Sequence, residues 1–130
     1  MTAHIPEGAS SLSVYITLAD TDAAIRWYVE NLGATETMRL AGPGGHGVMH
    51  AELDMHGTLL MMSDANPDWG TAPPAELSSF TLTLYVPDCD AVFGRCVAAG
   101  ATELQPVQDQ FWGDRAGNCL LYTSPSPRDS

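Results

Sequence analysis

Apolar and polar residues alternate along the first ordered stretch. Val14, Ile16 and Leu18 are apolar, while Ser13, Tyr15 and Thr17 carry hydroxyls. A period of two predicts a strand with one greasy face and one mostly polar face. Asp20 then stands where a helix N-cap belongs, and Asp22 supplies a second acid to suit the helix dipole. Ile25, Tyr28, Val29 and Leu32 follow at helical spacing, and Gly33 stops the helix. The same grammar returns later. Leu82, Leu84 and Val86 alternate with Thr81, Thr83 and Tyr85; Asp88 and Asp90 repeat Asp20 and Asp22; Phe93, Cys96 and Val97 take helical spacing. Gly33-Ala34-Thr35-Glu36 even matches Gly100-Ala101-Thr102-Glu103. A repeat of this length predicts two copies of one supersecondary unit.

Between the copies, a second strand is expected around Glu36 to Leu40, and Ala41-Gly42-Pro43-Gly44-Gly45 reads as a turn. Val48 to Leu53 and Thr58 to Met62 predict a hairpin around His56-Gly57. The first module is thus strand-helix-strand-strand-strand over about residues 11–63. A Pro-rich linker, Asp64 to Leu77 (about 64–78), leads to a second module over about 79–117. The fold class expected is α+β, two βαβββ-type modules forming a cupped mixed sheet, the second cut short. With the greasy strand faces packed under the helices, Ser13, Tyr15, Thr17, Thr81, Thr83 and Tyr85 would line a shared hollow.

A chain of 130 residues, 45% of them apolar, suits a single domain with one core. The formal net charge of −11, with five basic residues, argues against nucleic acid and against anionic membranes as partners. The acidity reads as a solubility feature. No apolar run reaches membrane-spanning length, and the opening residues lack a basic and greasy leader, so a cytoplasmic location is expected. Cys89, Cys96 and Cys119 have no metal or redox spacing, and Cys96 falls on the helix stripe as a small hydrophobe.

The wording of several stretches resembles the vicinal oxygen chelate superfamily of glyoxalase, bleomycin-resistance and dioxygenase proteins, and most closely its PhnB-like branch. These stretches are VMHAEL (Val48 to Leu53), LLMMSD (Leu59 to Asp64), LYVPDCDAVF (Leu84 to Phe93), AAGA (Ala98 to Ala101) and QDQFWGDR (Gln108 to Arg115). From about Cys119 onward the chain instead resembles a translated sequencing adapter, with Leu120 to Thr123 as a stand-in third strand. The superfamily's usual mechanism uses a divalent metal held by His and Glu from four strands. Carried over, three of the four ligand positions fall at Ser13, Thr81 and near Met61, and the fourth would lie beyond the recognisable segment. Hydroxyls and a thioether make a poor site for such a cation, so no cofactor is expected.

The resemblance therefore implies a protein that binds a small organic ligand in the hollow without the usual metal. Ser13, Tyr15, Thr17, Thr81, Thr83, Tyr85, Trp112 and Arg115 are the candidate ligand-binding residues. Phe111 and Trp112 either lid the pocket beside Arg115, or tuck under the sheet while Asp114 and Arg115 pair. The alternative is a metal-dependent lyase or isomerase holding Zn, Ni or Mn through His50 and Glu52, with His46 and His56 nearby. A third reading is a non-catalytic dimer subunit, since the superfamily pairs units between chains and a homodimer is expected. No catalytic residue emerges, and whether the chain is an enzyme stays open.

Overall fold

In the computed structural model, residues 4–6, 9–73 and 81–120 are described. They fall into two compact units, Met1–Pro73 and Pro74–Ser130. Unit one is built on helix α1 (Thr21–Leu32). The Asp20 side chain accepts the Ala23 N–H at 3.1 Å, and Gly33 closes the helix in the left-handed region at φ 73°. A cap this local is what the sequence pattern promised.

Four strands carry that helix: β1 (Val14–Leu18), β2 (Thr35–Ala41), β3 (Val48–Met55) and β4 (Thr58–Asp64). Their order is β1-β4-β3-β2, with β1 parallel to β4 and the other pairs antiparallel. Leu18, Ala51, Leu53, Leu60 and Met62 supply the greasy side, and Ala24, Ile25 and Tyr28 answer from α1. Burying a side chain such as Leu53 or Met62 is worth about 1.5–3 kcal/mol, so this layer dominates the unit's stability. Val29 also follows the helical spacing, yet it lies at the edge of the stripe and stays exposed.

β2 is an edge strand, and its ladder with β3 slips twice, between Glu36 and Met38 and between Leu40 and Ala41. Such irregularities bend an edge and re-aim its side chains. Here Arg39 lies opposite the buried Ala51 and reaches Asp22 of α1 at 2.6 Å, while also bonding Glu36. The hydrogen bond from Arg39, helped by the charges of Arg26 and Arg39, holds the Asp22 carboxyl below the usual carboxylate range. A lowered folded value means the stabilisation is present above the unfolded value and is lost as pH falls through the folded one. Arg39→Gln should therefore move the acid-unfolding midpoint to higher pH, by a fraction of a unit because the pair is largely exposed. Circular dichroism against pH checks it, and about 1 M salt, with a Debye length near 3 Å, should erase most of the difference.

Unit two contains α2 (Cys89–Ala98) and the antiparallel hairpin β5 (Thr102–Asp109) and β6 (Arg115–Leu120). Asp88 caps α2 by accepting the Ala91 N–H at 3.1 Å. The helix ends on Ala99, and Gly100 follows at φ 111° rather than forming the cap itself. Cys96 is buried as expected, whereas Val97 is not.

The expected strand Thr81–Val86 does not form. β1, its counterpart in the repeat, is held in its sheet by β4, and among its described residues unit two has no strand equivalent to β4. Without a ladder, period-two alternation has no face to bury, and Leu82 and Tyr85 are exposed together. The linker reading also shifts: Asp64 ends β4, and Pro67–Trp69 is a single 3-10 turn capped by Asn66. Cys119 and Leu120 lie in β6 opposite Glu103 and Thr102. The rest of the adapter-like stretch, residues 121–130, lies outside the described residues, as do 74–80 of the linker.

Candidate functional site

The face of the unit-one sheet turned away from α1 is assembled by register. Tyr15 lies opposite Met61, Met61 opposite Glu52, and Glu52 opposite Met38, so one row of side chains crosses all four strands. Beside it His50 faces Leu40 on β2. Tyr15, Met38 and Leu40 are 47%, 40% and 44% exposed, which leaves a broad apolar surface open on a sheet whose other side is sealed. Near its middle stands a polar chain. The Tyr15 hydroxyl is 3.2 Å from His50 Nδ1, and His50 Nε2 is 2.9 Å from Glu52 Oε2. The Tyr15 and His50 rings lie 5.6 Å apart at a 38° tilt.

The other two hydroxyls expected on the β1 side of this face donate to backbone carbonyls. Ser13 donates to the Ser10 carbonyl at 3.2 Å, and Thr17 donates to the Ala72 carbonyl at 2.9 Å. His56 is used elsewhere, its Nε2 lying 2.7 Å from the Leu32 carbonyl at the end of α1. The sequence reading missed Met38 and Leu40, although their own alternation in the second strand was the signal for them. It placed Tyr15 and His50 in separate constellations, and the strand register joins them.

Unit two holds its own candidate residues. Thr81, Thr83 and Tyr85 are exposed on the unpaired segment. An open cavity of about 360 Å³ is lined by Tyr85, Pro87, Asp88, Asp90, Asp114 and Arg115, among others. Arg115 is committed within the protein: its Nε and Nη2 donate to Asp90 at 2.9 and 3.1 Å, and Nη1 donates to Asp109 at 3.1 Å. That bidentate grip holds the Asp90 carboxyl below the usual range. Of the two alternatives for the 111–115 loop, the tucked one does not hold. Phe111 and Trp112 stack edge to face at 4.9 Å and remain 97% and 58% exposed, so they do not tuck under the sheet. Asp114 accepts from Trp112 Nε1 at 3.0 Å, while Arg115 pairs with Asp90 and Asp109.

The residues do not fit the superfamily's usual metal. Ser13 and Thr81 offer neutral hydroxyls, and Met61 offers a thioether. Among the described residues no three His, Cys, Asp or Glu side chains group as a cation site requires. His50 has both ring nitrogens engaged, one by Tyr15 and one by Glu52.

Comparison with known proteins accords with this architecture. The Mycobacterium bovis protein Mb0911c is 36% identical over 112 residues, covering 82% of this chain and 73% of its own. Across the mycobacterial relatives the chain spans 65–73% of their length. The crystal structure of TioX from Micromonospora sp. ML1 matches at TM-score 0.60 and 30% identity, covering 85% of this chain and 86% of that one. A PhnB protein from Bacillus cereus shares the fold at TM-score 0.68 and 14% identity, covering 88% and 94%. The sequence profile of the Glyoxalase/Bleomycin resistance protein/Dioxygenase superfamily matches residues 11–129, and the chain belongs to that superfamily.

Proposed function

We propose that the protein binds a small organic ligand on the open face of the unit-one sheet, without the superfamily's usual metal. The observation that carries this is the row Tyr15, Met61, Glu52 and Met38, with His50 bonded through both ring nitrogens. An apolar surface with a few convergent polar groups is what a small-molecule site needs. The Nε2–Glu52 bond opposes the alternative, a lyase or isomerase using His50 and Glu52 on Zn, Ni or Mn, because the two would-be ligands satisfy each other. Ser13 and Thr17 belong to the proposal as flanking groups of that face; Thr81, Thr83, Tyr85, Trp112 and Arg115 stay candidate ligand-binding residues of unit two, and the protein acts as a cytoplasmic homodimer. No described helix is long and apolar enough to cross a membrane.

Metal analysis together with a thermal-shift screen of aromatic and heteroaromatic compounds tests the reading. Purified protein should carry no stoichiometric metal. A ligand present at about 100 times its Kd should stabilise by about 2.7 kcal/mol, and Leu40→Asp should abolish that gain. Stoichiometric Zn, Ni or Mn that vanishes in His50→Ala would establish the metal-dependent alternative. A screen without any shift would favour the non-catalytic dimer subunit.

A further inference from the structure

The chain Tyr15–His50–Glu52 has a direction. As a carboxylate, Glu52 accepts hydrogen bonds and donates none, so the His50 nitrogen 2.9 Å from it, Nε2, carries the proton. A neutral imidazole has one N–H, which leaves Nδ1 as a lone pair facing the Tyr15 hydroxyl at 3.2 Å. The phenol proton therefore points inward, toward Nδ1. The oxygen of the half-exposed Tyr15 is left presenting lone pairs to whatever rests on the face. Met38 and Leu40 are exposed on the same face, and Met61 lies opposite Tyr15 on the neighbouring strand. We infer that Tyr15 is a specificity-determining hydrogen-bond acceptor. His50 and Glu52 are its positioning residues, and the ligand class is an apolar, flat body bearing a hydroxyl or N–H donor.

This rests on the ligand-binding reading above and adds a polarity to it. An ether or ketone of the same shape meets an oxygen that has no proton to offer, so its own oxygen is left unpaired against the surface. A phenol or an aryl amine completes the chain, and each donor in it is satisfied. Because the site is open to water, the discrimination is modest rather than absolute.

The test uses naphthol and its methyl ether, two probes of one shape that differ in the donor. Dissociation constants come from NMR shift perturbation of the full chain at pH 8. In the wild type naphthol should bind roughly five- to tenfold tighter, the size of one net hydrogen bond. Tyr15→Phe keeps the ring and should bring the ratio to about one. Glu52→Gln should also bring it toward one, since an amide can offer either oxygen or NH₂ to Nε2 and so frees the chain to reverse. A ratio near one in the wild type, with both probes perturbing the Met38, Leu40 and Met61 signals, overturns the polarity and leaves the ligand-binding reading standing. A ratio unchanged in Tyr15→Phe overturns the role of Tyr15. No perturbation by either probe overturns both readings together.

Discussion

Asp64→Ala should cost unit one about 3 kcal/mol, roughly 12–24 °C in Tm for a unit of this size. Asp64 closes β4, yet its carboxylate serves two other elements. Oδ1 accepts the N–H of Thr21, the first residue of α1, and Oδ2 accepts the N–H of Val48, the first residue of β3, both at 2.9 Å. A hydrogen bond to a charged group contributes about 1.5–3 kcal/mol, and a buried donor left unpaired costs about 1–3 kcal/mol more. Thr21 is fully buried, so water cannot replace the lost acceptor at that end. The carboxylate also sits against the positive end of the helix dipole. Asp64→Asn should recover at most one of the two bonds, since its NH₂ must turn toward one N–H.

Gly47 belongs to the same device. It adopts φ +71°, where a side chain is strained, and a Cβ there would collide with Asp64 Oδ2. Gly47→Ala alone should therefore be strongly destabilising. In the Asp64→Ala background the collision disappears and the strain of positive φ remains, so the double variant should cost less than the sum of the singles. Thermal unfolding of the four proteins, with amide exchange at Thr21 and Val48, checks the set. Additive costs, or an Asp64→Ala protein within about 0.5 kcal/mol of wild type, would remove Asp64 from this role.

Asp64 also shows where sequence reading stops. The caps Asp20 and Asp88 were legible because each serves an amide three residues away, and local spacing carries that message. Asp64 serves an amide forty-three positions upstream, and by local composition it opened a Pro-rich linker. The same division runs through the candidate site. Period two placed Tyr15 on the polar side of β1, and the hairpin around His56-Gly57 set β3 against β4. That β1 joins β4 in parallel, with Tyr15 opposite Met61, is a tertiary choice, and it alone brings Tyr15 to His50. Thr81–Val86 is the reverse case. Its alternation is as regular as that of β1, but a strand is a pairing, and no described strand of unit two supplies the partner.

Gly117→Val should be the most damaging single change in unit two, costing about 3 kcal/mol through overpacking. A Cβ at Gly117 would stand 2.8 Å from Phe93 Cε2, 2.8 Å from Val107 Cγ2 and 3.0 Å from Phe93 Cδ2. Phe93 comes from α2 and Val107 from β5, so this missing side chain is the seat that lets the helix rest on the hairpin. No backbone strain enters, because the Gly117 φ is one that other residues adopt. The issue is space alone. Gly117→Ala should cost less, about 1–2 kcal/mol, because the Phe93 ring and the Val107 methyl must both shift to admit even one Cβ. Valine adds two methyls and must push the Phe93 ring out. Unit two tolerates that poorly, for Cys96 and Ala101 are its only buried side chains among the described residues. Phe93→Leu in the Gly117→Val background should return part of the loss by vacating the seat. Amide exchange along α2 reads the outcome locally, independent of unit one. If the valine variant keeps wild-type protection, or if Phe93→Leu only adds to its cost, then α2 is held to the hairpin by something other than this contact.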